Sequence, residues 1–145
     1  VLDMGRDPRW PRFWETFGED VKLVSDMGES MVKGYQEGPM PFAATLKHFL
    51  GYSTPWSGKD RTPAYIPERQ LREIFLPPFQ KSVDAGALSV MINSGEINGI
   101  PTHINKFILT DLLSYLRPFR SPRYRGWPRR PLKHRTAGAF RERLV

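Results

Sequence analysis

Two short apolar runs, Phe42-Ala43-Ala44-Thr45-Leu46 and Leu88-Ser89-Val90-Met91-Ile92, flank a segment of helical period, and this alternation constrains the fold more than any other feature of the chain. Each run is too short for a helix and is bounded by turn formers: Pro39 and Pro41 before the first, Asn93-Ser94-Gly95 after the second. Both are predicted as buried strands, the first ending at Lys47-His48. Between them Leu71, Ile74, Phe75, Phe79 and Val83 recur with a helical period that closes at Gly86. Parallel neighbours need a crossover of about a dozen residues or more, so strand, helix and strand at this rhythm predict a parallel βαβ unit and an α/β fold class.

Two further helices extend the pattern. Leu23, Val24, Met27 and Met31 follow Asp20 at helical spacing, with Gly34 as the expected stop, and Glu19 and Asp20 are read as first-turn acids that cap the helix and favour its dipole. A third helix is expected from about Asn105, with Phe107, Ile108, Leu109, Leu112, Leu113 and Leu116 as a broad apolar face. Pro77-Pro78, inside the second helix, removes two donors and is expected to bend it. Val1-Leu2 read as the exit of a strand that begins outside the chain.

Composition excludes several classes of chemistry. There is no cysteine, hence no thiol nucleophile and no thiolate zinc site, and His48, His103 and His134 lie too far apart for a local metal motif. Neither a metal nor a cofactor is expected. No apolar run approaches the roughly 20 residues of a membrane-spanning helix, and no membrane partner is expected. The formal charge of +7 is uneven: from Arg117 onward ten Lys or Arg stand against Glu142 alone, giving +9, while the rest of the chain sums to −2.

The motifs say more than the periodicity. Arg6-Asp7-Pro8-Arg9-Trp10-Pro11-Arg12 followed by Glu15-Thr16-Phe17-Gly18-Glu19-Asp20 resembles a stretch found in family 3 glycoside hydrolases, the family that includes the β-glucosidases. Lys47-His48-Phe49 resembles that family's strand-end motif, and Leu71-Arg72-Glu73-Ile74-Phe75-Leu76-Pro77-Pro78-Phe79 its double-proline helix. The stretch Ser89 to Pro101 and the helix from Asn105 to Leu113 continue the match in order. The resemblance implies part of a (β/α)8 barrel over residues 1–116, about half of one, since a whole barrel takes about 250 residues. It implies relatives that are often secreted or periplasmic, although the chain itself leaves its compartment open.

The resemblance further implies that Arg12, Lys47 and His48 hold a sugar through its hydroxyl groups, the partner being a β-glucoside or oligosaccharide. Arg and Lys suit that role because charged donors make the stronger hydrogen bonds. Ser94 stands where many relatives place a substrate-contacting tyrosine and receives no binding role. Pro11 replaces the usual glycine before Arg12, a change expected to disturb the loop.

Family 3 enzymes are retaining glycosidases, which need a carboxylate nucleophile and a second carboxyl as acid/base. A count without gaps places Phe119 and Trp127 on aromatic positions of the nucleophile region and Gly126 on the nucleophile itself, so no catalytic residue is assigned. Arg120-Ser121-Pro122-Arg123-Tyr124-Arg125 is too charged for a buried barrel strand. The acid/base carboxyl is expected from a later domain that the chain lacks. Residues 117–145 therefore read as a disordered or frame-shifted tail. Tyr124 and Trp127 among arginines give the composition of a polyanion or single-strand binder, the competing reading, but four prolines and no apolar period argue against a specific nucleic-acid partner.

Overall fold

The computed structural model describes residues 1–116. The expectations that fall on Phe119, Arg120, Tyr124, Gly126 and Trp127, and on the basic tail as a whole, lie outside the described residues. Within them the element order is α1 (Val21–Gln36), β1 (Thr45–Phe49), α2 (residues 68–84), β2 (Ser89–Ile92), a hairpin of β3 (Glu96–Ile97) and β4 (Ile100–Pro101), and α3 (residues 107–115).

β1 and β2 pair in parallel, with Thr45 opposite Ser89, Leu46 opposite Val90 and Phe49 opposite Ile92, and α2 forms the crossover between them. This is the βαβ unit that the alternation predicts. The first strand begins at Thr45 rather than Phe42, because Phe42 is 63% exposed and the buried run starts only at Ala44. It runs on to Phe49, one residue past the expected end at Lys47-His48. On the far edge of β1 the Leu2 amide donates to the Lys47 carbonyl at 2.6 Å, which lays the opening residues alongside the strand.

α1 is capped as its acids suggest: the Asp20 side chain accepts from the Leu23 amide at 2.7 Å. It does not stop at Gly34 but continues to Gln36, whose side chain donates to the Gly86 carbonyl and accepts from the Ala44 amide. Its buried face also differs from the expected one. Val24, Ser25, Gly28 and Val32 point inward, while Leu23, Met27, Met31 and Tyr35 are each about 40–50% exposed. Small residues set this face because α1 approaches α2 closely: a Cβ on Gly28 would lie 2.6 Å from both a Leu2 methyl and the Ser82 hydroxyl.

The second helix widens just ahead of its two prolines. Glu68–Gln70 runs into a π-helical stretch, Leu71–Phe75, whose last bond joins the Leu76 amide to the Leu71 carbonyl, and Pro77 and Pro78 then open the regular turns of Leu76–Asp84. Inside this continuous helix each proline withholds an amide from the turn before it, the cost expected of the pair. The core gathers Leu46, Phe49, Leu50, Leu71, Phe75, Phe79, Val90, Ile92, Ile97, Ile108 and Leu112 between the strands and the helices. α3 is capped by the Asn105 side chain, which accepts from the Ile108 amide.

Candidate functional site

The parallel pairing slips at one place, between Leu46 and Phe49, and the residues at the slip are Lys47 and His48. The Lys47–His48 and Phe49–Leu50 peptide bonds are cis. A register slip of this kind re-aims side chains beside active sites, and here it accompanies a polar cluster drawn from three parts of the chain.

His48 is at its centre and is buried. Its Nδ1 lies 2.7 Å from Asp3 Oδ2, and the same oxygen accepts the His48 backbone amide at 3.3 Å. Its Nε2 lies 3.2 Å from an Nη of Arg12. Arg12 is in turn held along its other edge by Glu15, with Nε and the second Nη each donating at 2.7 Å to the two carboxylate oxygens. The Phe13–Glu15 3₁₀ turn makes this possible by carrying Glu15 round to face Arg12 three residues before it. The pairing raises Arg12 above its ordinary pKa, chiefly through the Glu15 hydrogen bonds, and holds the Glu15 carboxyl below its own for the same reason. Lys47 is half-buried, and its charge also helps to lower Glu15.

An aromatic floor supports the cluster. The Tyr52 ring packs at a tilt against His48, 4.5 Å between centroids, and meets Trp10 edge to face at 5.4 Å, and the Arg12 guanidinium lies over Tyr52 and Trp10, at 5.7 and 5.9 Å. Trp10 is fully buried and donates its indole N–H to Asp60 at 2.9 Å. Burial pushes the Asp60 carboxyl up, but the Trp10 bond, Tyr52 and the nearby arginines outweigh it, and the net shift is downward. The Ser53 hydroxyl ties the loop after β1 to the Met4 carbonyl at 2.6 Å.

The structure thus brings Arg12 and His48 together across 36 residues, with Lys47 adjacent, and Pro11 does not keep Arg12 from reaching the strand end. Ser94 is exposed, in the loop that precedes the hairpin. Sequence reasoning passed over Asp3, Glu15, Trp10, Tyr52 and Asp60. Only Glu15 carried a local signal, the Arg-x-x-Glu spacing of a helical ion pair. Among the described residues no group of three or more His, Cys, Asp or Glu is placed to hold a metal ion, and no helix is long and apolar enough to cross a membrane.

A cluster of cationic and neutral donors at the carboxyl end of a parallel strand, floored by aromatic rings, suits a neutral polyhydroxylated ligand: hydroxyls meet the polar groups, and C–H faces meet the rings. Comparison with known proteins points the same way. The model of the glycosyl hydrolase family 3 N terminal domain matches residues 1–119. A lysosomal beta glucosidase of Dictyostelium discoideum is 42% identical over 158 aligned positions, which take in all of this chain and 19% of that protein. A beta-xylosidase of Formosa agariphila is 41% identical across 74% of this chain and 16% of its own length. The beta-glucosidase of Listeria innocua, solved in complex with glucose, superposes with a TM-score of 0.76 at 35% identity, covering 81% of this chain and 17% of that one. The chain therefore spans less than a fifth of the length of these relatives. The amoebal alignment has more positions than this chain has residues and so opens gaps in it. The placement of Gly126 rests on a count without gaps.

Proposed function

The chain belongs to glycosyl hydrolase family 3, through that family's N-terminal domain, and from this premise we propose that Arg12, Lys47 and His48 form the part of a β-glucoside site that grips the non-reducing sugar. The observation that carries the reading is the convergence of Arg12 on His48 at the end of β1, fixed by Asp3 and Glu15 and floored by Tyr52 and Trp10. The beta-glucosidases among the relatives support this substrate, including a Listeria neighbour solved with laminaribiose, while others are named beta-xylosidases. The two parallel strands with their crossover fit a portion of a (β/α)8 barrel, with the cluster on the barrel's carboxyl face.

Holding a sugar is a separate matter from cleaving it. Retaining hydrolysis requires one carboxylate to attack the anomeric carbon and another carboxyl to protonate the leaving oxygen. Asp3, Glu15 and Asp60, the carboxylates of the described cluster, are tied to His48, Arg12 and Trp10 respectively. Residues 117–145, with Gly126 at the counted nucleophile position, supply neither group in this reading. In this reading the described residues hold a β-glucoside and contribute neither catalytic carboxyl.

The test is to titrate the 145-residue chain with D-glucose and to assay it with an aryl β-glucoside. Binding without hydrolysis is expected, and Arg12→Ala or Lys47→Ala should weaken binding by roughly tenfold or more, as loss of a charged hydrogen bond does. Turnover that survives repurification and disappears in Lys47→Ala would overturn the non-catalytic reading. Unchanged glucose binding in both variants would overturn the site.

A further inference from the structure

The partners of His48 assign its hydrogens. A carboxylate only accepts, so Nδ1, 2.7 Å from Asp3, carries the ring hydrogen. A guanidinium only donates, so Nε2, facing Arg12 at 3.2 Å, presents its lone pair. The two assignments are independent and agree. Glu15 fixes the other half of the contact. Because it occupies the Nε edge of Arg12 with two bonds, the remaining Nη is the end left facing His48.

We propose that Asp3 and Glu15 are positioning residues that fix the hydrogen-bond polarity of the Arg12–His48 pair, so that this pair accepts only a ligand group that donates to His48 Nε2 while accepting from Arg12. This rests on the sugar-holding reading and deepens it. An alcohol oxygen has both capacities, one O–H and two lone pairs. A hydroxyl seated here exchanges the single Arg12–His48 bond for two, one from the guanidinium to its oxygen and one from its O–H to the imidazole. Fluorine, a methyl ether and a carbonyl oxygen cannot donate, and each leaves the buried Nε2 unpaired. An ammonium cannot accept, and it meets Arg12 as a like charge. The pair therefore selects hydroxyls by direction as well as by shape. The direction comes from two carboxylates that do not themselves face the sugar.

Asp3 is the more informative of the two to change. Asp3 and His48 are both almost fully buried, so the ring sees little water that could substitute for the carboxylate. Removing the acceptor takes away one of the two anchors and leaves Arg12 alone to oppose an Nε2–H, so the ring can populate that form, in which an acceptor toward the ligand becomes a donor. An amide in place of the carboxylate brings a donor as well as an acceptor, but the His48 backbone amide donates to the same position, which keeps the side-chain oxygen there for Nδ1–H and so keeps the direction.

The experiment uses the whole chain with ¹⁵N-labelled histidine, with His48 assigned through His48→Gln. Ring-nitrogen NMR reads the tautomer, and titration with D-glucose and its monodeoxyfluoro analogues reads selection. In the wild type, Nδ1 should be protonated and Nε2 bare, and one fluoro analogue should bind about tenfold or more worse than glucose. Asp3→Ala should shift the ring toward the Nε2–H form and shrink that discrimination, whereas Asp3→Asn should retain both. Glu15→Gln, at a half-buried position that tolerates change better, should weaken glucose about tenfold and leave the tautomer as it is.

A protonated Nε2 in the wild type overturns the proposal, as does equal binding of every fluoro analogue. A wild type that shows the expected tautomer but binds no glucose sinks the sugar reading, and hydroxyl selection with it, while leaving the anchoring of the ring by Asp3 in place. The two failures are thus told apart.

Discussion

Two clusters in this molecule each pair carboxylates with basic side chains and have little else in common. One joins Asp3, His48, Arg12 and Glu15 at the end of β1. The other joins Lys22, Asp26, Glu29, Lys33 and Lys81 along the packed faces of α1 and α2. In the first, the side chains of Asp3 and His48 are 1% and 7% exposed; in the second, none is less than 30% exposed. The first gathers residues from distant parts of the chain over an aromatic floor. The second is mostly one helix turn pairing with the next, joined to α2 by Lys81. Burial makes the difference, because charges kept from water act on their neighbours with little screening, whereas exposed pairs contribute little. The strand-end cluster is where geometry can be functional, and the helical cluster is a solvated seam.

The largest expected effect follows from removing the floor. Trp10 is almost wholly buried, touches Tyr52, underlies Arg12 and satisfies Asp60. Trp10→Ala should cost about 3–5 kcal/mol of stability, through cavity formation and the orphaned carboxylate together. It should also abolish glucose binding in whatever fraction remains folded. Urea unfolding followed by far-UV circular dichroism measures the first, and the NMR titration the second. A loss below about 1 kcal/mol would mean that the cluster stands without its floor, and the contrast between the two clusters would fail.

How much of this was legible in the chain follows the reach of each interaction. The Asp20 cap, the strand centred on Val90 and the break at Asn93-Ser94-Gly95 depend on neighbours in sequence, and periodicity and turn chemistry located them. The Asn98-Gly99 pair carried a hairpin signal that went unread. Both residues take positive φ, 52° and 83°, which is the backbone that such a tight turn between β3 and β4 requires. The buried face of α1 was misread for a physical reason. Leu23, Met27 and Met31 have the stronger hydrophobicity, but Ser25 and Gly28 allow the close approach to Leu2 and Ser82, and packing distance overrode the apolar stripe. At the candidate site, Arg12, Lys47 and His48 were named by resemblance. Asp3 and Tyr52 were not, because their roles exist only once residues 45 apart meet and rings pack.

An intermediate effect is expected at that close approach, which belongs to neither cluster and calibrates both. Gly28→Ala places a methyl 2.6 Å from a Leu2 methyl and from the Ser82 hydroxyl, so the α1–α2 seam must open. Overpacking of this kind costs about 1–3 kcal/mol, and the better helix propensity of alanine returns up to about 1. A net loss near 1 kcal/mol in urea unfolding is expected, with the His48 ring-nitrogen signals unmoved. Stabilisation instead would show that Leu2 turns aside freely and that the helices are not closely fitted there.

The smallest effect should come from the helical cluster, and pH and salt make it measurable. Lys22 first, and Lys81 with it, hold the Asp26 carboxyl at about 2 against an ordinary 3.8; Lys33 and then Lys81 lower Glu29; and Asp26 with Glu29 raises Lys81. Carboxylates lowered by folding add stability that is fully present above their ordinary values and is lost as pH falls through the lowered ones, which for Asp26 means between 3.8 and about 2. Lys81, raised by folding, adds stability that is present below its ordinary value of 10.5 and is lost as pH rises past the raised one. Because every member is open to water, the contribution is small and screened. Lys81→Met should therefore lower Tm slightly at neutral pH and low salt, by much less than Gly28→Ala. That difference should shrink at about 1 M salt, where the screening length falls to about 3 Å. It should vanish as acid takes Asp26 through its window, because the protonated carboxyl no longer distinguishes lysine from methionine. Thermal melts of the two proteins across pH 2 to 7 at low and high salt test this. A gap undiminished at high salt, or wider in acid, would mean that Lys81 acts by packing its stem against α1, and would move this cluster toward the buried kind.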